Sequence, residues 1–309
     1  MKVLLLGHRG FVGRTVALEL GKSSFAVASA SRATGCDLLD AASFAGVMAQ
    51  EQPDAVVNCA AMVGSLKYVS DHAAEVLQTN LRMLLNLYQV LGEQFPSTIL
   101  VQPIANCFYP GDAAVLREEE WDHGPIHSSV LAYGAGRRMA LVLGECYRKQ
   151  HGMRSIFLIA PNMYGPHDSP DPEKAHALNA LAAKFVKAGR EGTPVEIWGT
   201  GTPVREWLYA PDFARVVREV LETLDHRDYS EPVNIAREEG ISIRQLADLI
   251  AHALSFSGEI NYNTSYPDGA PSKIMSQRRF RRYFPNFKFT PFQQGVDETV
   301  KYYESIYPY

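Results

Sequence analysis

The sequence predicts an α/β protein, built as a Rossmann-type, doubly wound parallel sheet with a smaller C-terminal substrate-binding lobe. The chain opens on a hydrophobic strand, MKVLLL, that runs straight into a glycine-rich turn, GHRGFVG. Strand and helix patterns then alternate through the first half, which is typical of a parallel sheet covered on both faces. With 309 residues, 46% of them hydrophobic, the chain can bury a large core.

Residues 1–164 are expected to form the Rossmann domain. Apolar runs predict strands at Val3–Leu6, Phe25–Ala30, Ala55–Cys59, Thr98–Gln102 and Ser155–Ile159. Longer periodic segments predict helices at Phe11–Leu20, Ala41–Ala49, Ala73–Leu91 and Tyr133–Gln150.

The second half, 165–309, is expected to be mainly the substrate-binding lobe. Prolines and charges separate shorter elements there, with helices expected near His176–Ala188 and Ile243–Leu254. Parts of 195–235 are expected to return to the main sheet, within Val195–Leu221 and Pro232–Ile235.

The first glycine turn has the form of a phosphate cradle. Gly7 permits the tight turn, Gly10 lets the backbone approach a pyrophosphate, and Gly13 lets the helix pack against the sheet. The spacing is G-x-x-G-x-x-G, which points to short-chain dehydrogenase/reductase chemistry. The sequence therefore predicts a dinucleotide site at this turn.

Ligands of such sheets bind beyond the carboxyl ends of the strands. Small or polar residues follow three of the predicted strands at these ends: Asn58 to Ala61, Ile104 to Pro110, and Ala160 to Pro166. Among them, Ala60 and Ala61 are small enough to let a cofactor lie close.

Two arginines indicate NADP rather than NAD. NAD-binding folds usually place an acid at the end of the second strand to bond the ribose, but no acid appears here before Asp37. Arg9, inside the glycine turn, and Arg32, after the second strand, are instead placed to pair a 2′-phosphate. The alternative is that both are ordinary surface arginines.

Composition narrows the class of protein. A net charge of −4 without a basic stripe argues against a nucleic-acid partner. The four cysteines show neither a C-x-x-C pair nor His-Cys clustering, which argues against a disulfide framework or metal site and favours a reducing cytoplasm. No apolar run reaches membrane-spanning length, and no signal peptide is recognised.

Tyr133 and Arg137 are four residues apart on a predicted helix, so both side chains project from one face. A free phenol has a pKa of ~10, so a fixed cation nearby is needed to make its proton mobile near neutral pH. Arginine supplies the charge and can bond ribose hydroxyls, although it cannot give up its proton.

The chain resembles the GDP-L-fucose synthases, the GDP-4-keto-6-deoxymannose epimerase/reductases among the extended short-chain dehydrogenase/reductases. The resemblance runs from end to end. It rests on five segments in order: Gly7–Gly13, Asn106–Pro110, Asn162–Asp168, Trp198–Trp207 and 267–273.

The resemblance implies a two-stage reaction on a GDP-linked 4-keto sugar. The carbons beside the ketone are inverted through an enolate, and hydride from NADPH then reduces the ketone. The family's epimerising cysteine and histidine match Cys107 and His176, whose side chains suit acid–base work near neutral pH. A homodimer through the helices at Ala73–Leu91 and Tyr133–Gln150 is also implied.

Two sets of binding residues follow from the motifs and the resemblance together, with no metal among them. The NADP(H) set is Gly7, Arg9, Gly10, Phe11, Val12, Gly13, Arg32, Asp37, Leu38, Ala60, Ala61, Tyr133, Arg137, Pro161, Asn162, Met163 and His176. The substrate set is Ala105, Asn106, Asn162, Lys184, Trp198, Arg205 and Lys273.

The chain departs from the family at two positions. Ala105 replaces the serine that polarises the ketone, and Arg137 replaces the usual lysine. Losing one such donor typically costs ~10²–10³ in rate unless another group replaces it, and Asn106, Ser128 and Ser129 are the candidates. Four functions remain open: an epimerase/reductase, a reductase of a related GDP-4-keto hexose or heptose, an epimerase alone, or a non-catalytic NADP-binding protein.

Overall fold

The computed structural model describes residues 1–266, 268 and 270–309. The main sheet has six parallel strands in the order β2-β1-β3-β4-β5-β9. These strands are β1 (Lys2–Leu6), β2 (Ala26–Ala30), β3 (Ala55–Asn58), β4 (Ile99–Ala105), β5 (Ser155–Ala160) and β9 (Val233–Asn234). The predicted fold class is confirmed.

The main sheet is covered on both faces because its strands alternate two apolar sets of side chains. Leu4 and Leu6 of β1 face one core, and Val3 and Leu5 face the other. The first core is closed by α2 (Ala41–Glu51), α4 (Ala73–Gln94) and α5 (Leu131–His151). The second is closed by α1 (Phe11–Leu20), α7 (Ala210–Glu222) and α9 (Arg278–Tyr283).

The C-terminal lobe has its own apolar core between short strands and three helices. The helices are α6 (Ala177–Glu191), α8 (Ile243–Ala253) and α10 (Phe292–Ile306), while α3 (Leu66–Asp71) lies apart, after β3. The strands are β6 (Asn162–Tyr164), β7 (Val195–Trp198), β8 (Val204–Tyr209), β10 (Gly240–Ser242), β11 (Ile260–Asn263) and β12 (Ser272–Lys273).

The stretch 195–235 returns to the main sheet only in part. β7 pairs with β11, and β8 pairs with β6, β10 and β12, so neither β7 nor β8 joins the main sheet as its apolar pattern suggested. β9 does join it beside β5, and α7 packs on its face. The difference arises because a short apolar strand does not specify which neighbour it pairs with.

A buried carboxylate joins the two parts of the molecule. Glu206 on β8 is fully buried and accepts hydrogen bonds from three backbone N–H groups. Those of Arg237 and Glu238, just after β9, lie 2.6 and 3.0 Å from Oε1, and that of Met275, just after β12, lies 2.8 Å from Oε2. Burial raises the pKa of Glu206 to about 7, although the three N–H groups oppose that shift.

Candidate active site

In the glycine turn, a side chain would collide with the backbone at two of the three glycines but not at the third. Gly7 has a φ of +73°, and a Cβ there would lie 2.7 Å from the backbone nitrogen of Ala60. A Cβ at Gly13 would lie 2.1 Å from the carbonyl oxygen of Gly7. At Gly10, the residue before α1, the nearest atom to a Cβ would be 3.5 Å away. A Cβ at Gly10, next to the N-terminus of α1, would therefore clash with nothing, and the predicted pyrophosphate site at this position stays a prediction.

Arg9 and Arg32 lie at the same edge of the sheet. Gly7 donates its N–H to the carbonyl oxygen of Ala30 at 3.1 Å, which places the turn beside the end of β2. Arg32 begins the short 3₁₀ turn after β2, and both arginine side chains are exposed. Asp37 accepts a hydrogen bond from the backbone of Leu39 at 3.0 Å, so its carboxylate is partly engaged in its own loop.

The remaining residues of the predicted cofactor set line the ends of the strands or the start of α1. Phe11, Leu38 and Pro161 are buried, and Ala61 is exposed. Val12 lies in the first turn of α1, Ala60 follows β3, and Asn162 and Met163 begin β6 just after β5. Leu38 packs in the core beside α2, which leaves its backbone as the part available to a ligand. Asn162 Nδ2 donates to the carbonyl oxygen of Glu206 at 3.1 Å.

The structure brings Tyr133 and Arg137 together on α5. Nη2 of Arg137 donates to Tyr133 Oη at 3.0 Å and to Asn80 Oδ1 at 3.2 Å. The guanidinium carbon lies 4.5 Å from the centre of the Tyr133 ring. Asn80, on α4, also bonds the backbone N–H and C=O of Met62. Arg137 is therefore held between the tyrosine and the segment that follows β3.

Burial raises the pKa of Tyr133 above its ordinary value. The charge of Arg137 and its hydrogen bond lower this pKa, while the nearby Cys107 raises it, so the net direction is upward. Arg137 therefore acts on the pKa of Tyr133 in the direction that the sequence predicted, but burial outweighs it in the protein alone. Tyr133 keeps its proton at neutral pH and is suited to donate it.

Cys107 follows β4 and lies against the first turn of α5. A Cβ at Gly134 would lie 2.7 Å from the carbonyl oxygen of Cys107, which shows how closely the two segments pack. Burial raises the pKa of the Cys107 thiol to about 11, against the opposing charges of Arg137 and Lys273. Burial lowers the pKa of Lys273, with the nearby Arg205 adding to that effect and Cys107 opposing it. Cys107 is therefore a protonated thiol beside two cations.

His176 approaches the cofactor turn from the C-terminal lobe. It is the residue before α6, and its ring centre lies 5.2 Å from that of Phe11, the first residue of α1. No hydrogen bond between His176 and Cys107 occurs among the described residues. The two predicted epimerising residues thus come from different parts of the fold.

The residues that could replace the missing serine as a hydrogen-bond donor differ in whether their donor group is already used within the protein. Ala105 ends β4 opposite Ala160 of β5. Ser128 and Ser129 are exposed, and Ser129 Oγ lies 2.8 Å from Nδ1 of His127. Asn106 has a buried amide nitrogen without a partner among the described residues. The donor of Asn106 is therefore not already used within the protein.

The predicted nucleotide contacts lie on the C-terminal lobe. Trp198 is 57% exposed, and its ring stacks on that of Tyr266 with centres 4.4 Å apart. Asp268 accepts hydrogen bonds from the backbone and hydroxyl of Thr200, at 2.9 and 2.6 Å. Lys184 instead donates to the carbonyl oxygen of Glu196. Two positions of the last family segment, Pro267 and Gly269, lie outside the described residues.

Two residues that the sequence analysis did not single out touch this site. Asn80 is a buried polar residue on the core face of amphipathic α4. A polar residue at a position where the helical pattern calls for an apolar one is the feature of the sequence that could have pointed to it. Asp168 bonds His176, and it stands within the family segment Asn162–Asp168.

Residues 3–236 match the NAD dependent epimerase/dehydratase family. The chain belongs to this family. A probable GDP-L-fucose synthase of Oryza sativa is 30% identical over 98% of this chain and 92% of its own length. A GDP-L-fucose synthase of Sinorhizobium fredii is 32% identical over 90% and 88%. The predicted family resemblance is confirmed.

A solved GDP-L-fucose synthetase from Naegleria fowleri, bound to NADP, has the same fold as this epimerase/dehydratase. The TM-score is 0.89 at 28% identity, over 99% of this chain and 93% of that one. In the part of the chain described here, no helix is long and apolar enough to cross a membrane. The same residues hold no cluster of three or more His, Cys, Asp and Glu side chains arranged for a metal ion.

Proposed function

We propose that this protein is an NADPH-dependent epimerase/reductase that acts on a GDP-linked 4-keto-6-deoxy sugar. The observation that carries the proposal is the Tyr133 hydroxyl, held by Arg137 beside Cys107 at the carboxyl end of β4. The family and its GDP-L-fucose synthase relatives support the GDP-sugar substrate and the cofactor. NADP(H) supplies hydride when bound.

Tyr133 donates the proton in the reduction step. A guanidinium carries only hydrogen-bond donors, so Tyr133 Oη accepts from Arg137 and its own hydrogen points elsewhere. That hydrogen is free to reach the ketone oxygen and to neutralise the alkoxide as the ketone is reduced. Arg137 then stabilises the charge left on the phenol oxygen.

Cys107 and His176 exchange protons with the carbons beside the ketone. Because its pKa is raised to about 11, the Cys107 thiol carries a proton that it can deliver to an enolate carbon. The His176 imidazole, whose side chain is 32% exposed, accepts the proton removed from the sugar. The net result is inversion without oxidation.

The C-terminal lobe holds the nucleotide. Lys273 on β12 and Arg205 on β8 are paired in register on neighbouring strands, and together they offer two cations to a pyrophosphate. The exposed ring of Trp198 offers a flat surface to a purine.

Deuterium uptake and NADPH consumption separate the two half-reactions. We expect the wild-type protein, incubated in D₂O with GDP-4-keto-6-deoxymannose, to incorporate deuterium at the carbons beside the ketone. When NADPH is added, we expect the protein to oxidise the NADPH as it reduces the ketone. Cys107→Ser and His176→Gln should each lower deuterium uptake by ~10²–10⁴, the usual contribution of a positioned acid or base. The NMR spectrum of the product measures deuterium uptake, and absorbance at the NADPH band measures NADPH consumption.

Cys146→Ser is the matched control, because Cys146 is an exposed thiol on the outer face of α5. Unchanged uptake in both Cys107→Ser and His176→Gln would contradict the epimerase assignment. NADPH loss without deuterium in the wild type would make the protein a reductase alone, and deuterium without NADPH loss an epimerase alone.

Arg9→Ala should discriminate between NADP and NAD. A hydrogen bond to a charged group contributes about 1.5–3 kcal/mol, so we expect a Kd for NADP raised by about 10- to 100-fold. The Kd for NAD should stay within twofold because NAD lacks the 2′-phosphate. Isothermal titration calorimetry measures both, and equal losses for the two cofactors would refute the assignment of Arg9.

We also propose a cytoplasmic homodimer. Exposed apolar side chains lie on the outer faces of α4 and α5, namely Leu85, Met139 and Val142. Two such faces packed together would bury them. The four cysteines, all among the described residues, are free thiols, which suits a reducing compartment.

A further inference from the structure

His176 is held on one side by a buried carboxylate. Asp168 Oδ2 accepts the backbone N–H of His176 at 2.8 Å and lies 3.0 Å from its Nδ1. The Asp168 side chain is 5% exposed, whereas that of His176 is 32% exposed. The imidazole therefore turns one nitrogen toward the protein interior and keeps the rest of the ring accessible.

Asp168 itself has little freedom to move. Asn179 donates its Nδ2 to the same carboxylate oxygen at 2.8 Å, and its Oδ1 accepts the N–H of Gly165 at 3.1 Å. The hydroxyl of Tyr303 lies 3.4 and 3.3 Å from the carbonyl oxygens of Asp168 and Ser169. The carboxylate is thus fixed by α6, α10 and the turn after β6.

This arrangement determines which nitrogen of His176 carries its proton. Burial alone would raise the pKa of Asp168, but the hydrogen bonds and charge of His176, with Asn179, together hold it below its usual value. An ionised carboxylate only accepts hydrogen bonds, so Nδ1 must donate. No described residue hydrogen-bonds Nε2, which is left with its lone pair free.

We propose that Asp168 is a positioning residue that fixes the proton of neutral His176 on Nδ1, so that Nε2 is the atom that reacts. In the epimerisation step, Nε2 takes the proton from the carbon beside the ketone. The electron pair of that C–H bond moves to form the enolate. The imidazolium then lies against the Asp168 carboxylate until its proton exchanges with solvent. This inference rests on the proposed function.

Nitrogen-15 NMR of histidine-labelled protein tests the inference without any turnover. We expect neutral wild-type His176, whose signals are assigned by their absence in His176→Gln, to show the Nδ1–H form. Asp168→Ala should convert it to the Nε2–H form that free histidine favours in water. Deuterium uptake into the sugar should fall by at least ~10-fold in Asp168→Ala, and by no more than the ~10²–10⁴ that loss of the base itself can cost.

Asp168→Asn tests whether the effect of Asp168→Ala comes from the orientation of His176 or from a loss of folding. An amide oxygen can accept the same three hydrogen bonds from the backbone and ring of His176 and from Asn179. We expect Asp168→Asn to unfold at the wild-type temperature, to keep the Nδ1–H form and to lose less uptake than Asp168→Ala. Asp171→Asn is the matched control, since Asp171 is in the same loop but pairs with Lys174.

Each outcome decides one of the two claims. An Nε2–H form in wild type, or wild-type uptake in Asp168→Ala despite a changed tautomer, overturns the role of Asp168 and leaves the proposed function intact. Absence of uptake and of NADPH oxidation in the wild type overturns the proposed function, whatever the tautomer.

Discussion

Replacing Tyr133 with phenylalanine is expected to lower the rate of NADPH oxidation by ~10²–10⁴, the usual contribution of a positioned proton donor. The substitution removes one oxygen and leaves the ring, whose face lies 4.5 Å from the Arg137 guanidinium. Arg137 keeps its hydrogen bond to Asn80, so the fold around the site should persist. Stopped-flow absorbance with saturating sugar nucleotide measures the step.

Tyr147→Phe is the control for this loss. Tyr147 lies on the same helix, where its ring packs against those of Tyr88 and His151, away from Cys107. Its loss of a hydroxyl should leave turnover within twofold of wild type. Near-normal oxidation by Tyr133→Phe, with a cofactor Kd unchanged, would show that another group protonates the ketone.

Alanine at Gly13 and at Gly10 should damage the protein in different ways. A Cβ at Gly13 would overlap the carbonyl oxygen of Gly7 at 2.1 Å, so the start of α1 must shift. Overpacking of this kind costs about 1–3 kcal/mol or more in the free energy of unfolding. We therefore expect Gly13→Ala to lower the melting temperature of the cofactor-free protein and to abolish measurable NADPH binding.

Gly10→Ala should keep the melting temperature and lose affinity alone. Gly10 has a φ of −77°, which alanine adopts without strain, and its Cβ would meet nothing closer than 3.5 Å. The added methyl group would instead occupy the space proposed for the pyrophosphate. Tight NADPH binding by Gly10→Ala would place the cofactor elsewhere, and an unchanged melting temperature in Gly13→Ala would contradict the contact with Gly7.

Local patterns were enough to predict the first half of the fold. The strands of the Rossmann domain are short apolar runs bounded by glycine or polar residues, and β1 to β5 lie within a few residues of their predicted positions. β4 runs on to Ala105, beyond the predicted Gln102, because Pro103 is accommodated within the strand. The partner of β8 was not predictable, since pairing depends on segments more than thirty residues away, such as β6.

The contacts of the site could be predicted from the sequence where both residues lie on the same helix and their spacing brings them together. Tyr133 and Arg137 are four residues apart on one helix, and the structure joins them by a hydrogen bond. The third member, Asn80, comes from another helix, and no periodicity within α4 reveals that it meets Arg137. The effect of burial on Tyr133 was equally hidden, because desolvation depends on every segment packed around the phenol.

The Glu206 carboxylate sets a limit on how this enzyme can move. Moving the C-terminal lobe away from the edge of the main sheet would leave the backbone N–H groups of Arg237 and Glu238 without their acceptor, at about 1–3 kcal/mol for each one left unsatisfied. We therefore expect the two parts of the protein to keep their relative position when a sugar nucleotide binds, so that sugars of different bulk are distinguished by size.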